Sequence, residues 1–309
     1  MINKQTMNVV CVTCITLLVV FGLNGCGTSE QELQERSTSA KSKIELLVSN
    51  IEQGSRITNV RLLKEYADVV KHDSPELKNI AEALAADGTI EGPIVRGLQE
   101  RLAVANNRIG EAILDNAVVA DLLDEFDRIK IAAEPERFGM MLTDPINVLA
   151  DMSNGTLARV ESMSKEATQL ANQSTDLGAG SQLIGNPNYG QWRQDQYGTS
   201  FWGWYGRYAF FSAMFYRPIG YGYWAGQRPY SYYSDYGRSY YNSPATQKRQ
   251  DARVNKFKGR TRTFQSPYAR TRSGGSANVR KKSKAESNLW RAASTRAGSA
   301  RARSGSRGK

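Results

Sequence analysis

The uneven placement of aromatic side chains sets the strongest limit on what this chain can fold into. Of its 29 aromatic residues, 21 fall in the 56 positions from Asn186 to Tyr241. Residues 44–176, by contrast, hold only Tyr66, Phe126 and Phe138. A core in that earlier stretch has to be built from Leu, Ile, Val and Ala, so helices joined through aliphatic stripes are expected there. A stretch of this length suffices for a single core.

The periodicity supplies the helices. Ile44, Leu47, Val48 and Ile51 recur at helical spacing before Gly54, and Val60, Leu63, Ala67 and Val70 do so after it. Ser74-Pro75-Glu76 pairs a cap with a proline at the first helical position, and Leu77, Ile80, Ala81 and Leu84 follow on one face. Asp144-Pro145 repeats that device. Pro93 opens the longest candidate, reaching about Ala132, with apolar positions from Ile94 to Ile129 at a mean spacing of 3.5 residues. That spacing predicts a long helix in a bundle or coiled coil. Gly97 and Gly110 each cost about 1 kcal/mol against Ala, and Asn106-Asn107 marks where it would kink or break. A last helix is expected from about Asn154 to Asn172, and Ser37 to Ser42 belong to an expected tether over residues 26–43.

Between residues 177 and 244 the chain is rich in Tyr, Trp and Gly, with few aliphatic residues to fill gaps between rings. Phe201 to Tyr216 is dense enough to form a short, apolar helix. Trp192, Trp202, Trp204, Tyr205 and Trp224 are the candidate contact residues. Three uses fit them: a membrane interface, stacking on sugars or a partner's rings, or a strap packed against the helical domain.

Charge divides the chain as well. Residues 26–176 carry 16 Lys+Arg against 26 Asp+Glu, whereas residues 177–309 carry 24 against 4. Residues 245–309, rich in Ser, Gly and Ala, are expected to be disordered. Arg260, Arg262, Arg270, Arg272, Arg280, Lys281, Lys282 and Lys284 are the candidate polyanion-binding residues, through salt-sensitive attraction. The acidic helical domain is a rival partner for them, because a tethered segment meets it at high effective concentration.

At the N-terminus, Val9 to Leu23 is a 15-residue apolar stretch following Lys4. As a helix it would rise only about 22 Å, short of a hydrocarbon core about 30 Å thick. It ends in Leu23-Asn24-Gly25-Cys26. This arrangement resembles a bacterial lipoprotein signal peptide with its lipobox, although Asn24 departs from the usual small residue. The resemblance implies removal of residues 1–25 and acylation of Cys26, with an uncleaved anchor or ordinary cleavage as alternatives. Cys11 and Cys14 lie within the apolar stretch, so one cysteine would remain and no intrachain disulfide could form. Gly27, in place of Asp, resembles the signal for the outer membrane in enteric-type sorting. The run Gly185 to Trp192, the Phe/Trp/Tyr block and the basic tail also resemble parts of uncharacterised bacterial envelope lipoproteins.

Residues with catalytic potential do not converge in the sequence. His72 is the lone histidine and follows a helix, where it suits the helix dipole. Gly178, Gly180 and Gly185 lack the dinucleotide-binding spacing. Asp121, Asp124, Glu125 and Asp127 lack the glycine of a calcium loop. No catalytic residue, metal, cofactor or small-molecule substrate is therefore expected. The chain reads as mainly α: an acidic helical bundle over residues 44–176, then the aromatic segment and a basic tail. The expected function is a non-enzymatic, lipid-anchored envelope protein, on the periplasmic face of the outer membrane if the cell is Gram-negative. Its expected partners are membrane lipid through acylated Cys26, anionic envelope polymers or lipopolysaccharide, an envelope protein, or a second copy. Two rivals are a subunit of an envelope assembly with an incidental tail, and an intracellular nucleic-acid binder.

Overall fold

Leu33, Ser37, Ala40, Ile44 and Leu47 are the buried positions that step by four and three residues along α1 (residues 29–52). That heptad-like seam lays one side of the helix against the rest of the chain. The computed structural model describes residues 29–54, 56–112, 115–160, 177–215 and 217–257, and the fold is mainly helical. The expected tether is thus corrected over residues 29–43. There Arg36 donates to both carboxylate oxygens of Asp127 at 2.7 Å, and Ser37 Oγ lies 2.6 Å from Asn106 Oδ1.

After a turn through Gly54 come α2 (Thr58–Asp73), a 3-10 turn at Pro75–Leu77 and α3 (Lys78–Ala85). Pro75 takes the first position of that turn, but the Ser74 hydroxyl makes no capping bond. The expected long helix is broken. It forms α4 (Pro93–Asn107), a short α5 (Ile109–Ala112) and α6 (Asn116–Ala132), and α4 packs against α6. The first break falls at Asn107, at the expected kink or break, and a further helix start follows: Asp115 turns extended and its carboxylate accepts from the Ala117 N–H at 2.8 Å. The 3.5-residue spacing therefore serves two helices folded onto each other.

Next come α7 (Pro135–Met141) and α8 (Thr143–Met152), and α8 packs on α2 and α3. Asp144 and Pro145 lie inside α8, so the pair is not the cap expected there. Asn154 and Gly155, both at positive φ, turn the chain, and residues 154–160 are not helical. That removes the start of the helix expected from Asn154, and its remainder lies outside the described residues.

The aromatic segment is irregular but ordered. It contains a 3-10 turn at Ser181–Leu183, the strands β1 (Gly190–Gln194) and β2 (Ser200–Trp204), and a 3-10 helix at Gly206–Met214. Then follow α9 (Tyr221–Gln227), a π-helical turn at Tyr233–Gly237, α10 (Arg238–Tyr241) and α11 (Pro244–Phe257). Phe201 to Phe215 is hence a strand followed by a 3-10 helix, with Tyr216 outside the described residues, and the expected disorder from residue 245 is corrected as far as Phe257. Leu183, Tyr189, Tyr208, Phe211, Tyr232, Tyr233 and Tyr241 belong to the same buried core as the aliphatic residues of the helices. The boundary at residue 177 is a change of composition, and one core crosses it.

Candidate functional site

The surface that distinguishes this fold is the seam joining the C-terminal segment to the helices. Within that segment lies a β-hairpin in which Trp192 pairs with Trp202 and Gly190 with Trp204. Strand alternation turns Trp192, Trp202 and Trp204 to one face. Trp192 packs edge-on against Trp202 at 5.1 Å and Tyr221 at 4.8 Å, and Trp204 stacks on Phe211 at 4.8 Å. Such pairs add about 0.5–1.5 kcal/mol beyond area burial. Gly185, at φ +90°, lets Trp224 close over the backbone, since a Cβ there would sit 2.7 Å from the ring.

Among the five candidate aromatic contact residues, Trp202 and Trp224 are buried, Trp192 and Trp204 half-buried, and Tyr205 exposed. Most of their surface is spent on one another: Trp202 and Trp224 form, with Ile184, Ile219 and Tyr221, a second apolar cluster apart from the main core, which Trp204 joins to that core through Phe211. Tyr205 alone of the five is open to a partner.

Two carboxylates fasten the C-terminal segment to the helices. Asp87, on the 3-10 turn after α3, is fully buried and accepts from Tyr189 Oη at 2.8 Å and Tyr208 Oη at 2.5 Å. Asp144 accepts from Ser231 Oγ at 2.9 Å and from the backbone N–H groups of Tyr232 and Tyr233 at 2.8 and 3.0 Å. It caps the incoming turn rather than its own helix. Desolvation raises both acids to about 7, against the pull of their hydrogen-bond donors.

A third tie uses cations. Arg101 Nε and Nη2 donate to the two oxygens of Glu125 at 2.8 and 2.9 Å, and its Nη1 donates to the Tyr240 carbonyl at 2.8 Å. Arg128 donates to the Ser239 carbonyl at 2.9 Å and to Gln247 Oε1, while Tyr241 Oη donates to the Ala132 carbonyl at 2.9 Å. Beside this corner, a cleft of about 420 Å³ opens between α4, α6 and the start of α11. Its polar side chains Arg101, Glu125 and Asn242 are already taken by internal partners.

The acidic run on α6 is consumed by pairing. Asp121 takes Lys248, Asp124 takes Arg128, Glu125 takes Arg101 and Asp127 takes Arg36. Among the described residues no cluster of ligands could hold a metal ion. His72 is exposed, with Nδ1 2.8 Å from Asp73 Oδ1. Asp87 and Asp144, the acids held near neutrality, are sealed from solvent, so neither meets a substrate in this conformation.

Leu23, Asn24, Gly25 and Cys26 lie outside the described residues, as do Arg260, Arg262, Arg270, Arg272, Arg280, Lys281, Lys282 and Lys284. Sequence reasoning missed Asp87 and the Arg101–Glu125 pair, whose partners are distant in the chain. No known protein family, curated protein or solved structure matches this chain.

Proposed function

We propose that the chain is a non-enzymatic, lipid-anchored protein of the bacterial cell envelope. Acylated Cys26 attaches it to the membrane, at the periplasmic face of the outer membrane in a Gram-negative cell, and the packed body carries a cationic C-terminal extension to anionic envelope material. Lipopolysaccharide phosphates and acidic polymers are the expected ligands. The observation that carries this reading is the charge account. Within the body, Arg36, Arg101, Arg128, Arg228, Arg238 and Lys248 each meet a carboxylate of the chain itself. Residues 258–309 carry 15 Lys+Arg against the single acid Glu286. So large an excess of one sign attracts polyanions over distance and weakens with salt.

The anchor is supported by the lipobox, and helix α1 is described from residue 29, three residues after Cys26. Three residues span at most about 11 Å, so acylation would hold the body close to the bilayer. Among the described residues no helix is long and apolar enough to cross a membrane.

The test compares the full chain lacking residues 1–25 and carrying Cys26→Ser with the same protein ended at Phe257. The longer protein is expected to co-sediment with lipopolysaccharide or anionic vesicles at low salt and to release as salt rises; the shorter one is expected to stay in solution. Equal binding by both, or binding indifferent to salt, removes the tail from the reading. Palmitate labelling of the unsubstituted protein in cells, lost in Cys26→Ser, tests the anchor separately. A cytosolic, unacylated protein that co-purifies with nucleic acid would favour the intracellular reading instead.

A further inference from the structure

We propose that the cleft between α4, α6 and the start of α11 is a docking site for a segment of this chain's own C-terminal extension, centred on Leu289 and Trp290. At about 420 Å³ the cleft is large enough for a tryptophan and its neighbours. Its walls are mainly apolar, with Leu98, Val104, Ala105, Leu122, Tyr241 and Ala245 among them. Val104 is 61% exposed, more open than any other large aliphatic side chain among the described residues. The polar groups in these walls are mostly spent. Arg101 serves Glu125 and the Tyr240 carbonyl, Arg108 serves Glu111, and Asn242 joins Tyr233 and Gln250. A polar small molecule would find few free donors here, whereas an apolar side chain would be covered.

The composition of the extension names the occupant. Residues 258–309 are dominated by Arg, Lys, Ser, Gly and Ala, and Leu289-Trp290 is their one adjacent pair of large apolar side chains. Ala285, Leu289, Ala292 and Ala293 recur at i, i+4, i+7 and i+8, the spacing with which a helical peptide fills a groove. The reach is right as well. The first residues of α11 line the cleft and its 14 residues rise about 21 Å, so the extension leaves the body roughly that far away. A flexible chain of 31 residues, the length of 258–288, spans about 30 Å root-mean-square, close to the distance to be closed. Such a match gives an effective concentration on the millimolar scale. Charge favours the same pairing. Glu100 at the rim is exposed and makes no ion pair among the described residues, and Asp121 holds only Lys248, in an exposed pair at 3.3 Å. Lys281, Lys282, Lys284 and Arg291 flank the apolar pair, with Glu286 the single acid among them. Glu100 also offers a free acceptor for the Trp290 indole N–H. The docking requires neither acylation of Cys26 nor a polyanion.

The test uses the chain from residue 26 to Lys309 with Cys26→Ser, labelled with fluorotryptophan and kept free of polyanions. Trp290→Phe assigns the Trp290 fluorine signal, while Trp192, Trp202, Trp204 and Trp224 report that the aromatic segment stays folded. The Trp290 signal is expected to stand apart from its position in a peptide of residues 258–309. That shift should be independent of protein concentration and should survive salt that screens charge attraction. Val104→Glu on α4 and Ala245→Glu on α11 should each return the signal to the free-peptide position, with the other four unmoved; should one variant fail to fold, the other decides. A Trp290 signal at the free-peptide position in the unsubstituted chain, or a shift that both substitutions leave in place, overturns the docking. Loss of the shift on adding salt would reduce the contact to charge attraction, and loss on dilution would assign the segment to the cleft of a second copy. Either of these results also overturns it.

Discussion

The Arg101–Glu125 pair offers a sharp test of how the C-terminal segment is held, because its two members should not be equivalent. Arg101 is 14% exposed and Glu125 9%, and the pair is bidentate. Arg101→Met removes the countercharge from a buried carboxylate, a change that costs about 3–5 kcal/mol. It also strips the Tyr240 carbonyl of its donor, worth roughly 1 kcal/mol or more. Glu125→Leu leaves a cation instead. That guanidinium keeps Tyr240 and can swing on its long stem into the adjacent cleft, so about 1–3 kcal/mol is expected. In the double variant no unpaired charge remains, and only the Tyr240 carbonyl is orphaned. Its loss should come to about 1–3 kcal/mol, well below that of Arg101→Met alone.

Urea unfolding followed by far-ultraviolet circular dichroism at neutral pH gives all three values and the coupling energy between them. Proteolysis at residues 242–257 should rise first in Arg101→Met, since Tyr240 sits just before α11. Additive single losses, or an Arg101→Met cost under about 1 kcal/mol, would show that solvent already reaches the pair and that the seam rests on apolar packing alone.

Further expectations follow from the same contacts. Leu33→Ala should cost about 2–5 kcal/mol, because Leu33 is buried in α1; a loss near zero would return residues 29–43 to the status of a tether. Gly185→Ala should destabilise by about 2–3 kcal/mol through its φ of +90° and a Cβ 2.7 Å from Trp224, with a shift in tryptophan emission as the readout. An unchanged midpoint would mean that the ring moves away freely.

The aliphatic helices were legible in the sequence because their information is local. Leu63, Ala67 and Val70, or Ile80, Ala81 and Leu84, declare a buried stripe within two turns, and each triad is buried in the fold. Where a helix ends is decided by competing local bonds. The long candidate from Pro93 keeps its apolar spacing to Ile129 yet ends at Asn107, where Asn106-Asn107 marks a break, and the Asp115 cap then starts α6, which packs back on α4. Residues 29–43 misled for the opposite reason. Their Ser, Gln and Glu content reads as linker, while Leu33, Ser37 and Ala40 keep a heptad seam in which a serine holds a buried position through its bond to Asn106.

The seam was illegible for a deeper reason. Asp87 looks in sequence like the acidic end of a short helix, and Asp144 like a cap. Each instead acts on residues more than 80 positions away. A carboxylate that serves distant donors leaves no periodic mark, whereas its burial among tyrosines is a property of the assembled core alone. The abundance of tyrosine does carry a faint trace of it. Tyr189, Tyr208 and Tyr241 bring large apolar surfaces with one polar atom each, and in the fold each hydroxyl donates to a buried acceptor on the helices. An aromatic segment built mainly from Phe could fill the same space, but it would leave Asp87 and the Ala132 carbonyl without donors. The tyrosines therefore match the polar groups that the helical half buries, which is why a segment so poor in aliphatic residues can still complete its core.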